Sequence, residues 1–224
     1  MLKFVQKHKK DVPLLFTLKI HTFMKANLSS QIKLDRTPKR YYRPANAFER
    51  TALTRFEKIQ TEIYESTEEG SSQIAKEVSD LIRNRKKEGR FCVMALGSGP
   101  GTHSVYKELV RLHRDEKLSF SNVIVFNISE FYPLDEAAPG TTRILQETLL
   151  NQVDIDPTNV FTPRGTTEKE GVFEFCKEYE KSIENYGGLD LALLEIGPLG
   201  NLGFNEPGSQ ANSSTRLMLI GSES

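Results

Sequence analysis

Between residues 91 and 196 the sequence keeps returning to one alternation, which limits the fold more than any other feature. FCVMAL (91–96), NVIVFN (122–127) and LDLALLEI (189–196) are short, strongly apolar runs, and NVFTP (159–163) is a weaker one. Such runs suit strands buried on both faces. Amphipathic stretches surround them. Residues 46–66 place Phe48, Leu53, Phe56, Ile59 and Ile63 on one broad helical face. Residues 71–88 repeat the pattern with Ile74, Val78, Leu81 and Ile82, and Gly89 is the expected stop. Thr102 is expected to cap a helix to about 116 that turns Val105, Leu109 and Val110 inward, and a further helix is expected near 139–151. Thr167 is the expected cap of a helix over 168–185, and TRLMLI (215–220) is a candidate last strand. Strands alternating with helices imply an α/β fold built from βαβ units, with a mostly parallel sheet. Ligands of such sheets bind at the carboxyl ends of the strands.

Charge separates the N-terminus from this body. Of the 30 Lys/Arg and 30 Asp/Glu in 224 residues, the first fifty hold twelve basic and three acidic residues. Residues 1–44 are therefore expected to be a basic extension, with 45–224 as the domain. Within the extension, residues 1–23 surround a short apolar patch with cations. With no small-residue cleavage site following, and with Met24 opening MKANLSSQIKLD, they read as an over-extended start rather than a signal peptide. Arg40-Tyr41-Tyr42-Arg43 interleaves aromatics with cations and reads as an arm packed on its own domain, with a nucleic-acid or anion patch as the alternative. A neutral total argues against a nucleic-acid binder only where the charge is evenly spread, which it is not here; no nucleic-acid partner is expected. No apolar run approaches the roughly 20 residues that span a bilayer. Cys92 and Cys176 lack metal-ligand spacing, so no metal is expected, and a reducing, cytoplasmic setting is the default.

Three loops leave strand carboxyl ends with unusual chemistry. Gly97-Ser98-Gly99-Pro100-Gly101-Thr102-His103 joins a buried strand to a helix. Its glycines let backbone N–H groups approach an anion, and the helix dipole favours one. It matches neither G-x-x-x-x-G-K-[ST] nor G-x-G-x-x-G, so it reads equally as a phosphate cradle or a tight turn. Phe126-Asn127-Ile128-Ser129-Glu130-Phe131 sets Glu130 at the mouth of the crevice, either as an acid–base group or as a solvated carboxylate. The loop from Gly197 to Ser209 carries four glycines and two prolines and ends in the polar pair Asn205-Glu206.

Taken together and in order, these segments resemble the glucosamine-6-phosphate deaminase (isomerase) family, whose superfamily includes the 6-phosphogluconolactonases. SVYKELVRLH, LSFSNVIVFN with the following Glu130-Phe131, Val153-Asp154-Ile155, EKSIENYGGLDLAL, GFNEPGS and STR carry the resemblance, over about residues 70–220. It implies a modified Rossmann-like parallel sheet with helices on both faces. The implied reaction converts glucosamine 6-phosphate to fructose 6-phosphate and ammonia without a cofactor. The implied ligand is a sugar phosphate, and a homo-oligomer is left open.

Transfer of the family's residues is uneven. The proton-shuttling aspartate falls on Ser129, a second aspartate on Leu199 and the ring-opening histidine on Asn201; only the glutamates survive, as Glu130 and Glu206. The resemblance makes Glu206 and Glu130 the candidate catalytic residues. Gly97, Ser98, Gly99, Gly101, Thr102, His103 and Asn205 are the candidate substrate-binding residues. Arg216 matches an arginine that in regulated members helps bind an effector sugar phosphate, and reads otherwise as a surface charge near the last strand. Because further phosphate-binding residues of the family fall beyond Ser224, the chain is expected to be a C-terminally truncated domain, poorly soluble or oligomeric alone. The expected function is that of an impaired deaminase. A non-catalytic sugar-phosphate or partner binder, or a lactonase-type hydrolase, is the alternative.

Overall fold

The computed structural model of the chain describes residues 61–134, 140–197, 200–206, 208–210 and 212–220, together with Gln6–Lys7, Pro13–Leu14, Asn46 and Phe48. Gln6–Lys7 and Pro13–Leu14 pair as a short antiparallel ladder. The rest of the expected arm, and residues 49–60 of the expected first helix, lie outside the described residues.

Helix α1 spans Thr67–Lys87. It starts earlier than the apolar spacing predicts because its polar first turn is well capped. The Ser66 side chain accepts from the Glu69 N–H at 3.0 Å, and Glu69 reaches back to the Glu65 N–H at 3.2 Å. Residues 61–66 are consequently not helical, which corrects the C-terminal end of the expected 46–66 helix. Strand β1 is Cys92–Leu96, α2 His103–Glu116, β2 Val123–Asn127 and α3 Thr141–Thr148. Strand β3 is Val160–Phe161, α4 Val172–Asn185 and β4 Leu191–Leu193. Thr167 does not cap α4, which is entered through a 3-10 turn at Lys169–Gly171.

The four strands pair in parallel, in the order β3-β2-β1-β4. The chain lays down β1, β2 and β3 outward in one direction, then returns to place β4 on the other side of β1. That reversal opens the crevice between the carboxyl ends of β1 and β4, where open α/β sheets bind ligands.

Side-chain alternation divides the core. Cys92, Met94 and Leu96 of β1 and Val123 and Val125 of β2 face a large cluster with Ile74, Val78 and Ile82 of α1, Val105, Tyr106 and Leu109 of α2, and Leu145 of α3. Val93, Ile124 and Phe126 face the other way, toward Tyr179 on α4. Phe126 stacks on Phe161 at 4.7 Å and meets Tyr179 edge-on at 5.5 Å. Each such buried side chain contributes roughly 1.5–3 kcal/mol. Away from the crevice, Asp190 ties three elements together. One carboxylate oxygen accepts from the Arg85 guanidinium at 2.7 and 2.9 Å, and the other accepts from the Val93 N–H at 2.9 Å.

Residues 215–220 are not a strand, which corrects the expectation for TRLMLI. They find no ladder partner among the described residues. Their first residue is instead held on α4, where Glu180 accepts from the Thr215 N–H and hydroxyl. Leu217 and Leu219 are exposed.

Candidate functional site

The glycine-rich loop leaves β1 at the crevice and enters α2. Its bracing comes from inside the body. The Thr102 hydroxyl donates to the Gly99 carbonyl at 2.8 Å and is close to the Gly97 carbonyl at 3.2 Å. The Tyr106 hydroxyl also donates to the Gly97 carbonyl. Thr102 is fully buried and occupies the cap position of α2 without making a side-chain cap bond. It shapes the loop rather than presenting a donor to the crevice. His103 Nε2 lies 3.3 Å from the Ser98 carbonyl, which can only accept, so the contact favours a proton on Nε2.

An internal carboxylate fills this loop. Glu195, two residues beyond β4, accepts from the Gly101 N–H at 2.6 Å. A Cβ placed on Gly99 would fall 1.3 Å from Glu195 Oε1, so the missing side chain of Gly99 is what admits the carboxylate. Burial pushes the Glu195 carboxyl up from its ordinary range, and the single bond from Gly101 only partly opposes this.

Glu130 lies at the next loop and is anchored differently. It accepts from the Phe131 N–H at 2.9 Å, the Thr141 N–H at 2.8 Å and the Thr142 N–H at 3.0 Å. A Cβ on Gly140 would fall 2.7 Å from it. Burial alone pushes this carboxyl up, but the donors of Thr142, Phe131 and Thr141 outweigh it and hold the group below the usual carboxylate range. Glu130 therefore caps the start of α3 as an ionised group.

The third loop turns tightly. The Gly197 N–H donates to the Asn201 carbonyl at 2.9 Å, the Gly200 N–H donates to the Gly197 carbonyl at 3.0 Å, and Leu202 bridges to Ile196. Asn201 is buried, and its Oδ1 has no hydrogen-bond partner among the described residues. Asn127, at the end of β2, shares that condition: its Nδ2 donates to Thr141 and Thr142, while its Oδ1 has no partner among the described residues. Leu199 lies outside the described residues. Asn205 Oδ1 accepts from the Arg216 guanidinium at 2.8 Å, and Arg216 also reaches Ser213 at 2.7 Å. Glu206 lines an open depression of about 510 Å³ with Ser209, Gln210, Ser213, Arg216 and Met218. Phe204 meets Phe131 edge-on at 5.9 Å, which joins this loop to the one after β2.

The fold thus gathers Gly97, Ser98, Gly99, Gly101, Thr102 and His103 on one loop and gives Glu130 to a helix cap. It groups Asn205 and Glu206 with Arg216. Glu195 was missed by the sequence reading, although an acidic residue inside the apolar run LDLALLEI was a usable signal, because burying a carboxylate is costly unless it finds a donor. Among the described residues, no three His, Cys, Asp or Glu side chains form a metal-ligand group, and no helix is long and apolar enough to cross a membrane.

The family profile described as "Glucosamine-6-phosphate isomerases/6-phosphogluconolactonase" matches residues 61–202. A glucosamine-6-phosphate deaminase-like protein of Bacteroides thetaiotaomicron is 57% identical over 198 residues, covering 88% of this chain and 30% of the relative. A glucosamine-6-phosphate deaminase of Clostridium botulinum is 36% identical over 147 residues, covering 65% of this chain and 59% of the relative. Among solved structures, a monomeric glucosamine-6-phosphate deaminase superposes with a TM-score of 0.66 at 28% identity, covering 71% of this chain and 64% of that one. The chain spans less than two thirds of the length of each of these three.

Proposed function

The chain belongs to the glucosamine-6-phosphate isomerase/6-phosphogluconolactonase family, and we propose that it binds an amino-sugar phosphate in the crevice between β1 and β4. We propose further that it performs the standard deamination of glucosamine 6-phosphate only very slowly. The observation that carries this reading is Asn201. It stands where the resemblance puts the ring-opening histidine, and it is buried with an amide oxygen that has no partner among the described residues. An amide neither gives nor takes a proton at neutral pH, so no side chain at this position moves the ring proton. Ser129 likewise offers a hydroxyl where a carboxylate base is expected. Loss of a positioned acid–base group costs about 10²–10⁴-fold per step. Glu130 is committed to its cap, and Glu206 is the second carboxylate that the resemblance offers for chemistry.

Ammonia release from glucosamine 6-phosphate tests the reading directly. The purified chain is expected to give no turnover above background while the sugar phosphate raises its melting temperature. Turnover that disappears in Glu206→Gln would overturn the slow-enzyme part. Absence of any thermal shift would overturn the binding part. Introducing Ser129→Asp, Leu199→Asp and Asn201→His together is expected to restore measurable ammonia release.

A further inference from the structure

The glycine-rich loop has the features that favour an anion: a glycine without a Cβ at its centre, an N–H group at the start of a helix, and a position at the carboxyl end of a buried strand. Pro100 removes one backbone donor from it, which raises the value of the Gly101 N–H. That N–H is already bonded, to a carboxylate from a distant part of the chain. Glu195 reaches across from the segment after β4, donates no proton to the contact, and accepts from Gly101 at 2.6 Å. Its other oxygen occupies the space that Gly99 leaves open. The glycine that would admit a phosphate oxygen therefore admits a carboxylate oxygen instead.

We propose that Glu195 is an internal occupant of the glycine-rich loop that competes with the phosphate group of a ligand and so sets how strongly, and for which charge, the loop binds. This rests on the reading of the loop as the phosphate end of a sugar-phosphate site. Two anions cannot share one N–H donor, and placing a phosphate beside an ionised carboxylate adds like-charge repulsion. A phosphate ester enters only when the Glu195 side chain leaves. The move is feasible because Glu195 is the end of a rotatable side chain on a segment without regular structure, and it is held there by the one bond from Gly101. A ligand presenting a neutral or cationic group to the same loop needs no such displacement. Glu195 thus acts as a specificity-determining residue that weakens phosphate binding relative to the same loop without it.

The test is a titration of the full chain with inorganic phosphate, followed through the amide signals of Gly99 and Gly101 by nitrogen–proton correlation spectroscopy. The wild-type chain, Glu195→Ala, Glu195→Gln and Glu184→Gln are compared. Glu195→Ala vacates the loop, and Glu195→Gln removes the charge while keeping an acceptor for Gly101, so the question survives if one of them folds poorly. Glu184 is an exposed carboxylate on α4, and its removal controls for net charge. Glu195→Ala is expected to bind phosphate at least about tenfold more tightly than wild type, equivalent to about 1.4 kcal/mol. Glu195→Gln is expected to fall between the two, and Glu184→Gln to match wild type. Equal affinity in wild type and Glu195→Ala would overturn the role of Glu195 while leaving the phosphate loop intact. An equal gain in Glu184→Gln would reduce the effect to net charge and overturn it too. If no variant moves the Gly99 and Gly101 signals, the loop is not an anion site, and both the underlying reading and this proposal fall.

Discussion

Two carboxylates at the carboxyl edge of the sheet occupy matching positions and meet opposite conditions. Glu130 and Glu195 each lie against a glycine, Gly140 and Gly99 respectively, and each accepts backbone N–H groups at or beside the start of a helix. Glu130 has three backbone donors within 3.0 Å, two of them at the start of α3, and is held below the usual carboxylate range. Glu195 has one, from Gly101, and burial pushes it up. Burial raises both, so the number of donors decides the sign. A carboxylate with a full set of donors is part of the scaffold. One with a single donor is less firmly held, which is what the proposed displacement of Glu195 requires. This is why Glu130, a candidate acid–base group by resemblance, is structurally committed, while Glu195, which the resemblance did not single out, sits where a ligand is expected.

The comparison breaks most directly at the caps. Glu130→Ala strips three backbone donors of their acceptor and is expected to cost about 2 kcal/mol, the upper range for a lost helix cap. For a chain of this size that corresponds to a melting temperature lower by about 4–8 °C. Glu195→Ala loses one partly solvated bond and is expected to change the melting temperature by less than half as much. Equal losses in the two variants would show that donor number does not separate them.

The glycines sharpen the contrast. An added Cβ overlaps Glu195 more deeply at Gly99, at 1.3 Å, than it overlaps Glu130 at Gly140, at 2.7 Å. Overlap alone would make Gly99→Ala the worse substitution. If Glu195 swings out at little cost while Glu130 is pinned, Gly140→Ala is the one that lowers the melting temperature further. Thermal melts of the two variants decide between these orders.

The smallest effect is in the pH dependence, where the two groups should differ in sign. The folded pKa of Glu130 is depressed, so its stabilisation is present above the unfolded value of about 4.3 and is lost as pH falls through the folded value. The gap in melting temperature between wild type and Glu130→Gln should therefore widen from acid to neutral pH. The folded pKa of Glu195 is raised, so its contribution is complete below about 4.3 and is lost as pH rises through the folded value. Glu195→Gln should gain on wild type over the same range. Melts across the acid range that show both gaps moving the same way would remove the distinction.

Much of the fold is legible from short-range pattern. FCVMAL and NVIVFN become β1 and β2 within a residue of their expected bounds, because five consecutive buried positions leave an apolar signal that local order does not blur. LDLALLEI shrinks to Leu191–Leu193, since the apolar run continues into a segment whose Glu195 leaves the ladder for the glycine-rich loop. TRLMLI has the residues of a strand but no partner to pair with among the described residues, and strand propensity without a ladder is not a strand.

The sequence by itself determined the α/β alternation and the three loops at strand ends, because each is carried by residue type and by spacing within one element; that Ser129 and Asn201 stand where titratable groups are expected is what the family resemblance implies. Only the tertiary structure decided what fills the glycine-rich loop. Glu195 and Gly101 are 94 residues apart, and their bond exists because the strand order turns back to set β4 beside β1. Which carboxylate is capped and which is replaceable depends on how many N–H groups the fold brings within reach, and no local pattern counts donors that arrive from elsewhere in the chain.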